Sequence, residues 1–303
     1  LTIPVGKDSL SMETKWENHK NTSPESLIVS AFAPITDVHK SLTPMLKEDK
    51  DSLLVRINFG SEKNRLGGSI LSHVINKDFK ECPDIENYEA FPKIFNKICD
   101  FIKKEKIFAI HDISDGGLVA AVSEMMFASN LGIDLHLDAN LDELNRILFS
   151  EEPGLLLQIP EQYFNELKND LEKINFHKIN PIGKINNNDE LKIKSKNLEE
   201  KIKYDDLMKH WSKVSSEIKK LRDNPICAEE EEKSYLDRSN TILSQSFNFE
   251  IPFPNHEKTK PTIAVVREQG VNGQTEMAAA FEKAGFVVTD VHMNDLIKKR
   301  FEL

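Results

Sequence analysis

The stretch FAIHDISDGGLVAAVSEMMFAS, Phe108 to Ser129, constrains the fold more than any other part of the chain. Its apolar start reads as a strand, its acidic centre with two adjacent glycines as a bend, and its apolar end as an amphipathic helix. A strand passed directly into a helix through such a bend is half of an α/β unit. The carboxyl end of such a strand is also where phosphates and metals collect, because the helix N-terminus that follows offers backbone N–H groups. Asp112 suits Mg²⁺ ligation beside a bound phosphate, and Ser114 suits donation to a phosphate oxygen. The same residues also make an ordinary corner, with Ser114 or Asp115 capping the helix and Gly116 and Gly117 permitting the bend. The residues alone support both readings. His111 reads more readily as a satisfied, partly buried histidine than as a catalyst.

The flanking segments extend the α/β pattern. SLIVSAFAPI, residues 26–35, is continuously apolar and predicts a buried strand, and LLVRINFG, residues 53–60, alternates through Val55, Ile57 and Phe59 as a half-buried one. Ala90 to Lys104 places Phe91, Ile94, Phe95, Ile98 and Ile102 on one helical stripe. GIDLHLD predicts a strand, Leu141 to Leu148 a short helix, and EEPGLLLQIP a glycine bend and a further strand. From Glu161 to about Lys196 come a helix pattern, a Pro-Ile-Gly turn and a polar NNNDE loop. Leu207, Trp211, Val214, Ile218 and Leu221 then recur at spacings of 4, 3, 4 and 3, an amphipathic helix ending near Arg222. Ala228 to Lys260 is acidic and rich in Ser, Asn and Pro, which predicts a linker. KPTIAVVREQGVNGQTEMAAAFEKAGFVVTDVHM, beginning at Lys260, predicts a strand, a glycine turn, a helix and a parallel strand.

Bulk properties narrow the function classes. Fifty acidic against 40 basic residues give a net charge of -10, which argues against a duplex-binding surface but not against a local phosphate pocket. Cys82, Cys99 and Cys227 have neither metal-ligand nor CxxC spacing, so free thiols in a cytoplasmic protein are expected. The 303 residues contain no apolar run approaching a membrane span and open without a signal-peptide pattern. The chain also opens without Met and closes after a lone βαβ unit, so a piece of a longer protein is expected.

Three further loops could meet a ligand. Pro4 to Ser9 sets Lys7 among turn residues, without the spacing of a Walker A loop. Asn64 to Ser69 holds Gly67 and Gly68, where backbone can approach a ligand or simply close a turn. Arg267 to Asn272, with Gly270 between, lies at a strand's carboxyl end. Glu151 and Glu152 are adjacent and point apart in an extended chain, so they make no catalytic dyad, although one of them can face a cleft.

Taken in order, LTIPVGKDSLSMETKW, SLIVSAFAPITDVHKSLTP, NRLGGS, HDISDGGL, LRDNPICA and REQGVNGQTEMAAAFEKAGFVVTDVHM resemble successive blocks of the large single-chain phosphoribosylformylglycinamidine synthase family. The resemblance extends over essentially the whole chain. It implies a mixed α+β subdomain of the aminoimidazole ribonucleotide synthetase type, followed by the first βαβ unit of a class I glutaminase domain. It further implies an N-terminal-type subdomain ending at residue 47, a C-terminal-type subdomain over 48–204, a connecting helix and acidic linker over 205–259, and the glutaminase start over 260–303. The implied activity is a purine-biosynthetic carbon–nitrogen ligase that converts formylglycinamide ribonucleotide, ATP and glutamine to the amidine, ADP, phosphate and glutamate. By the same resemblance Asp112 is a magnesium ligand and nucleotide contact, and Ser114 a nucleotide contact, at an auxiliary site that holds ADP structurally. Lys7, Gly67, Gly68, Glu151, Arg267, Gly270 and Asn272 are weaker loop candidates. The glutaminase Cys, His and Glu would lie outside this chain, so the segment by itself carries no catalytic residue and is expected to be inactive. The alternative reading is a non-catalytic nucleotide-binding or assembly subunit completed by another chain.

Overall fold

The computed structural model describes residues 13–23, 27–196, 198–238, 248 and 260–301, and the chain divides into two compact units, Leu1–Arg238 and Ser239–Leu303. The first unit begins with an exposed hairpin of β1 (Glu13–Trp16) and β2 (His19–Thr22). Its body then follows in the order β3 (Ser52–Asn58), α1 (Ile70–Val74), α2 (Phe91–Lys103), β4 (Ala109–Ile113), α3 (Gly117–Ser129), β5 (Gly132–His136), α4 (Leu141–Phe149), β6 (Gly154–Pro160) and α5 (Glu161–Glu172). It continues through β7 (Ile179–Asn186), β8 (Glu190–Lys194), β9 (Glu199–Lys203), α6 (Tyr204–Arg222) and α7 (Pro225–Ser234).

Seven strands form one sheet in the order β4-β6-β3-β7-β5-β8-β9, antiparallel throughout except for the parallel β5–β8 pair. Each face carries its own core. Leu54, Ala109, Leu156, Leu135 and Leu191 pack under α3, α4 and the start of α6, whereas Val55, Ile57, Leu157 and Ile159 pack under α2 and α5. β3 is therefore buried on both faces, more than its alternation predicts, because successive residues reach different helix layers. Asn140 caps α4 by a reciprocal bond with Glu143, which satisfies two N–H groups at that helix start.

Several expectations are corrected. Residues 27–35 form no strand: Leu27, Ile28, Val29 and Phe32 are exposed, Phe32 at 95%, because no described strand lies alongside to pair with them. On α2 the buried residues are Ile94, Ile98 and Phe101, while Phe95 is half exposed, so the core-facing stripe is rotated toward Phe101. α3 buries residues nearly all round, from Leu118 to Met126, and is not amphipathic. The Pro-Ile-Gly segment is not a turn but lies inside β7, at a register shift opposite Leu54 and Val55 that accommodates Pro181. Gly183 is needed there, since a Cβ would sit 2.2 Å from the Asp134 carbonyl oxygen on β5.

α6 forms where the spacing places it but turns the other way. Met208, Ser212 and Ser216 are buried, whereas Trp211, Val214, Ile218 and Leu221 are exposed, Leu221 at 90%. The start of the expected linker is helical, since α7 covers residues up to Ser234; the greater part of that segment lies outside the described residues.

The second unit pairs β10 (Thr262–Arg267) in parallel with β11 (Val287–His292) across α8 (Gln274–Lys283), and α9 (Met293–Ile297) follows. This is the βαβ unit the sequence predicts. Among the described residues no helix is long and apolar enough to cross a membrane, and the three cysteines are free.

Candidate functional site

The sheet order builds the site. β3 and β4 both pair antiparallel with β6, so they run parallel to each other with β6 between them. Their carboxyl ends, Asn58 and Ile113, meet at Gly154, the first residue of β6. The loops that follow β3 and β4 thus flank the residues that precede β6, which are Ser150 to Pro153.

Glu151 joins the two loops. One carboxylate oxygen, Oε1, accepts from the backbone N–H of Gly116 at 2.9 Å and from that of Ile70 at 2.8 Å. Ile70 opens α1 and Gly116 immediately precedes α3, so one negative charge serves the positive ends of two helices. Glu151 is thereby a clamp between the glycine loops. Glu152 takes a different set of partners. Its side chain is fully buried and pairs with Arg65 Nε at 2.7 Å and Nη2 at 2.8 Å, and it also accepts from the N–H groups of Ser61 and Arg65. Burial alone would raise the Glu152 pKa, but the Arg65 bonds and the two backbone donors outweigh it and hold the carboxyl below its ordinary range. Ser150 Oγ donates to the Arg65 carbonyl at 2.9 Å, so the loop after β3 is fixed at three points.

The bend after β4 carries the exposed groups. The Asp112 side chain is 68% exposed, and Ser114 and Asp115 are exposed as well. No side chain caps α3, so the reading in which Ser114 or Asp115 serves as the cap is not realised. Gly116 and Gly117 have φ of 83° and 71°; a Cβ on Gly117 would lie 2.7 Å from the Ser150 carbonyl oxygen. Gly117 is thus required by the turn and by the close approach to the residues before β6. Across the clamp, Gly67 is buried and donates to the Glu81 carbonyl at 2.8 Å, while Gly68, at φ 72°, faces open space. Glu151 therefore links the loop that carries Gly67 and Gly68 to the bend that follows Asp112 and Ser114.

Other candidates stand apart. Lys7 lies outside the described residues. Arg267 is paired with Asp290 at 2.8 Å, which raises its pKa, and this leaves the exposed Gly270 and Asn272 as the open part of that loop in the second unit. His111 is partly buried and satisfied, with Nε2 2.9 Å from Glu124 Oε2. The Arg65–Glu152 pair was not anticipated; the one signal for it is a charged residue on each side of two apolar strands, which carries no register information.

No three His, Cys, Asp or Glu residues gather to hold a metal among the described residues. The exposed Asp112 offers a single carboxylate, and Mg²⁺ is commonly held through one or two carboxylates with the rest of its shell from phosphate and water.

Residues 56–196 match the family described as AIR synthase related protein, C-terminal domain, and residues 260–303 the CobB/CobQ-like glutamine amidotransferase domain. Residues 1–34 match the FGAR-AT PurM_N-like domain. Along the chain, 1–34, 56–196 and 260–303, the three matches bear out the resemblance to phosphoribosylformylglycinamidine synthase. Among solved structures, Thermotoga maritima PurL complexed with ATP is 13% identical over 56% of this chain and 27% of its own, with a TM-score of 0.44. The Thermotoga maritima PurLQS structure is 12% identical over 82% and 34%, at 0.43. Escherichia coli HypE, a hydrogenase maturation protein, is 14% identical over 54% and 52%, at 0.39. The chain spans about a quarter to a third of the length of the PurL chains it matches.

Proposed function

We propose that this chain supplies a magnesium–nucleotide lobe, and the beginning of a glutaminase domain, to an ATP-dependent ligase that converts formylglycinamide ribonucleotide and glutamine to the amidine. The observation that carries the reading is the Glu151 clamp: it holds the Gly67–Gly68 loop and the Asp112–Gly117 bend together at the carboxyl ends of two parallel-running strands, beneath exposed Asp112 and Ser114. In this reading Asp112 ligates Mg²⁺, Ser114 and the backbone around Gly68 meet the phosphates of ATP or ADP, and Glu151 positions both loops without touching the metal. Bound Mg²⁺ would offset phosphate charge. The subdomains are taken to divide at 47, 204 and 259, and Gly270 and Asn272 to belong to the glutaminase half.

The test is calorimetric titration of the full chain with ADP in the presence and absence of Mg²⁺. Binding is expected to require Mg²⁺ and to weaken at least about tenfold in Asp112→Ala, a loss of about 1.4 kcal/mol. Unchanged affinity in that variant would sink the assignment.

A further inference from the structure

Arg56 is a charged residue in the middle of β3, between the core residues Leu54, Val55 and Ile57. The pleat puts its side chain on the face of Leu54 and Asn58, and across the ladder it stands opposite Leu156 of β6 and Asn180 of β7. A guanidinium in such a place is ordinarily tied to a carboxylate, as Arg65 is to Glu152 through Nε and Nη2. Among the described residues Arg56 has no such pair. Its Nε is buried without a hydrogen-bond partner, and its Nη2 donates to the neutral Asn64 Oδ1 at 3.3 Å. Burial pulls its pKa below the ordinary arginine value, and Glu152 and Glu62 oppose this through space rather than by hydrogen bonds.

Arg56 does not end in packed apolar core. It lines a pocket of about 150 Å³ together with Asn58, Glu62, Asn64, Asn180 and, from α4, Ile147. That volume lies below the roughly 300–1,000 Å³ that drug-sized ligands fill, so the pocket suits a small occupant. Its lining is mostly polar, and a polar space of this kind takes up water or an ion. Asn58 is committed to its own loop, its amide donating to the Ser61 carbonyl at 3.1 Å and its Oδ1 accepting from the Gly60 N–H at 2.9 Å. Asn64 is held likewise by donating to the Glu62 carbonyl at 3.0 Å. Arg56 and the exposed Asn180 remain as the donors of the pocket, with the exposed Glu62 carboxylate at its rim. A buried cation without a partner costs stability, and a counter-ion entering the pocket would remove that cost.

We propose that this pocket binds a phosphate-sized oxyanion, with the Arg56 guanidinium as its counter-charge and the Asn180 side-chain amide as a second donor. Phosphate suits it because a guanidinium recognises that ion through paired N–H donors, and a doubly charged ion gains most from an unpaired cation. Glu62 competes with the anion for Arg56, but as an exposed and solvated carboxylate it weakens binding without abolishing it. The pocket is separate from Asp112, which lies on β4 beyond β6, so neither reading depends on the other.

The test is calorimetric titration and thermal unfolding of the full chain with inorganic phosphate, without Mg²⁺ and at constant ionic strength. Phosphate is expected to bind saturably at about millimolar concentration or below and to raise the melting temperature. Arg56→Met is expected to melt about 2–4 °C above the parent in chloride buffer, because the unpaired charge is gone, and to show no response to phosphate. Arg56→Lys keeps the charge but not the planar fork, and is expected to bind about tenfold more weakly. Glu62→Gln is expected to bind about two- to fivefold more tightly, and Asp112→Ala within twofold of the parent. Glycerol 3-phosphate distinguishes the source of the ion: binding that is lost in Arg56→Met supports the phosphate of a larger ligand, and exclusion beside retained phosphate binding supports the free ion. No saturable phosphate binding by the parent, or binding unchanged in both Arg56 variants, overturns the site. Binding lost in Asp112→Ala and kept in Arg56→Met overturns it as well, since the phosphate then sits at the Asp112 bend.

Discussion

The Arg65–Glu152 pair yields the most quantitative prediction. Glu152→Ala removes a fully buried carboxylate that accepts from Arg65 Nε and Nη2 and from two backbone N–H groups. Removing one half of a buried ion pair costs about 3–5 kcal/mol, because the remaining charge is stranded. The orphaned N–H groups of Ser61 and Arg65 add about 1–3 kcal/mol each if they stay dry. Arg65 is 16% exposed and keeps its bond to the Asp84 carbonyl, so part of its charge finds other partners. The expected loss is accordingly at the low end, about 3 kcal/mol. For a unit of this size that is a drop of about 6–12 °C in melting temperature, read by circular dichroism and calorimetry at pH 7. Arg65→Met with Glu152→Ala should lose about 1–3 kcal/mol less than the two single changes summed, since the partners are in direct contact. The effect also has a pH signature. The Glu152 pKa is lowered in the folded state, so its contribution is complete above the ordinary value of 4.5 and fades as pH falls through the lowered folded value. The gap between parent and Glu152→Ala should therefore close in acid. A loss below about 1 kcal/mol at pH 7, or a gap that widens in acid, would refute the argument that this buried pair fixes the loop after β3.

Two further substitutions test the packing. Gly117→Ala forces a side chain into φ 71° and against the Ser150 carbonyl at 2.7 Å, for an expected loss of about 3 kcal/mol or more by chemical denaturation; a neutral result would mean that the bend relaxes freely. Leu221→Ser removes an apolar residue from the stripe of α6, yet Leu221 is 90% exposed, so the denaturation midpoint should stay within about 0.5 kcal/mol of the parent. A loss of 2 kcal/mol or more would mean that this face is covered.

The backbone course of the Asp112–Gly117 bend is legible in the sequence. The Asp112–Gly117 bend follows from a strand pattern, two glycines and a helix pattern within one short stretch, and each of those signals is local. The pairing of that bend with the Gly67–Gly68 loop was not legible, because Glu151 reaches back 35 residues to Gly116 and 81 to Ile70. Nothing in the spacing of two adjacent glutamates tells which one clamps the loops and which one is buried against Arg65. That choice is made by what the neighbouring loops place there: the Gly116 and Ile70 N–H groups receive Glu151, and Arg65 with the Ser61 N–H receives Glu152.

By itself the sequence determined the α/β class, the strand–glycine–helix bend, the extent of α6 and the βαβ unit of the second half, since these depend on periodicities of 2 and 3.6 and on turn residues that act locally. Only the tertiary structure decided that β7 absorbs Pro181 at a register shift, that residues 27–35 lie exposed and unpaired with any described strand, and that α6 buries its serines while its apolar stripe faces outward. Periodicity records that a helix has two unlike faces. Which face is covered depends on the surface it meets, and in α6 Tyr204 and Met208 join the core beneath α3, which sets that orientation.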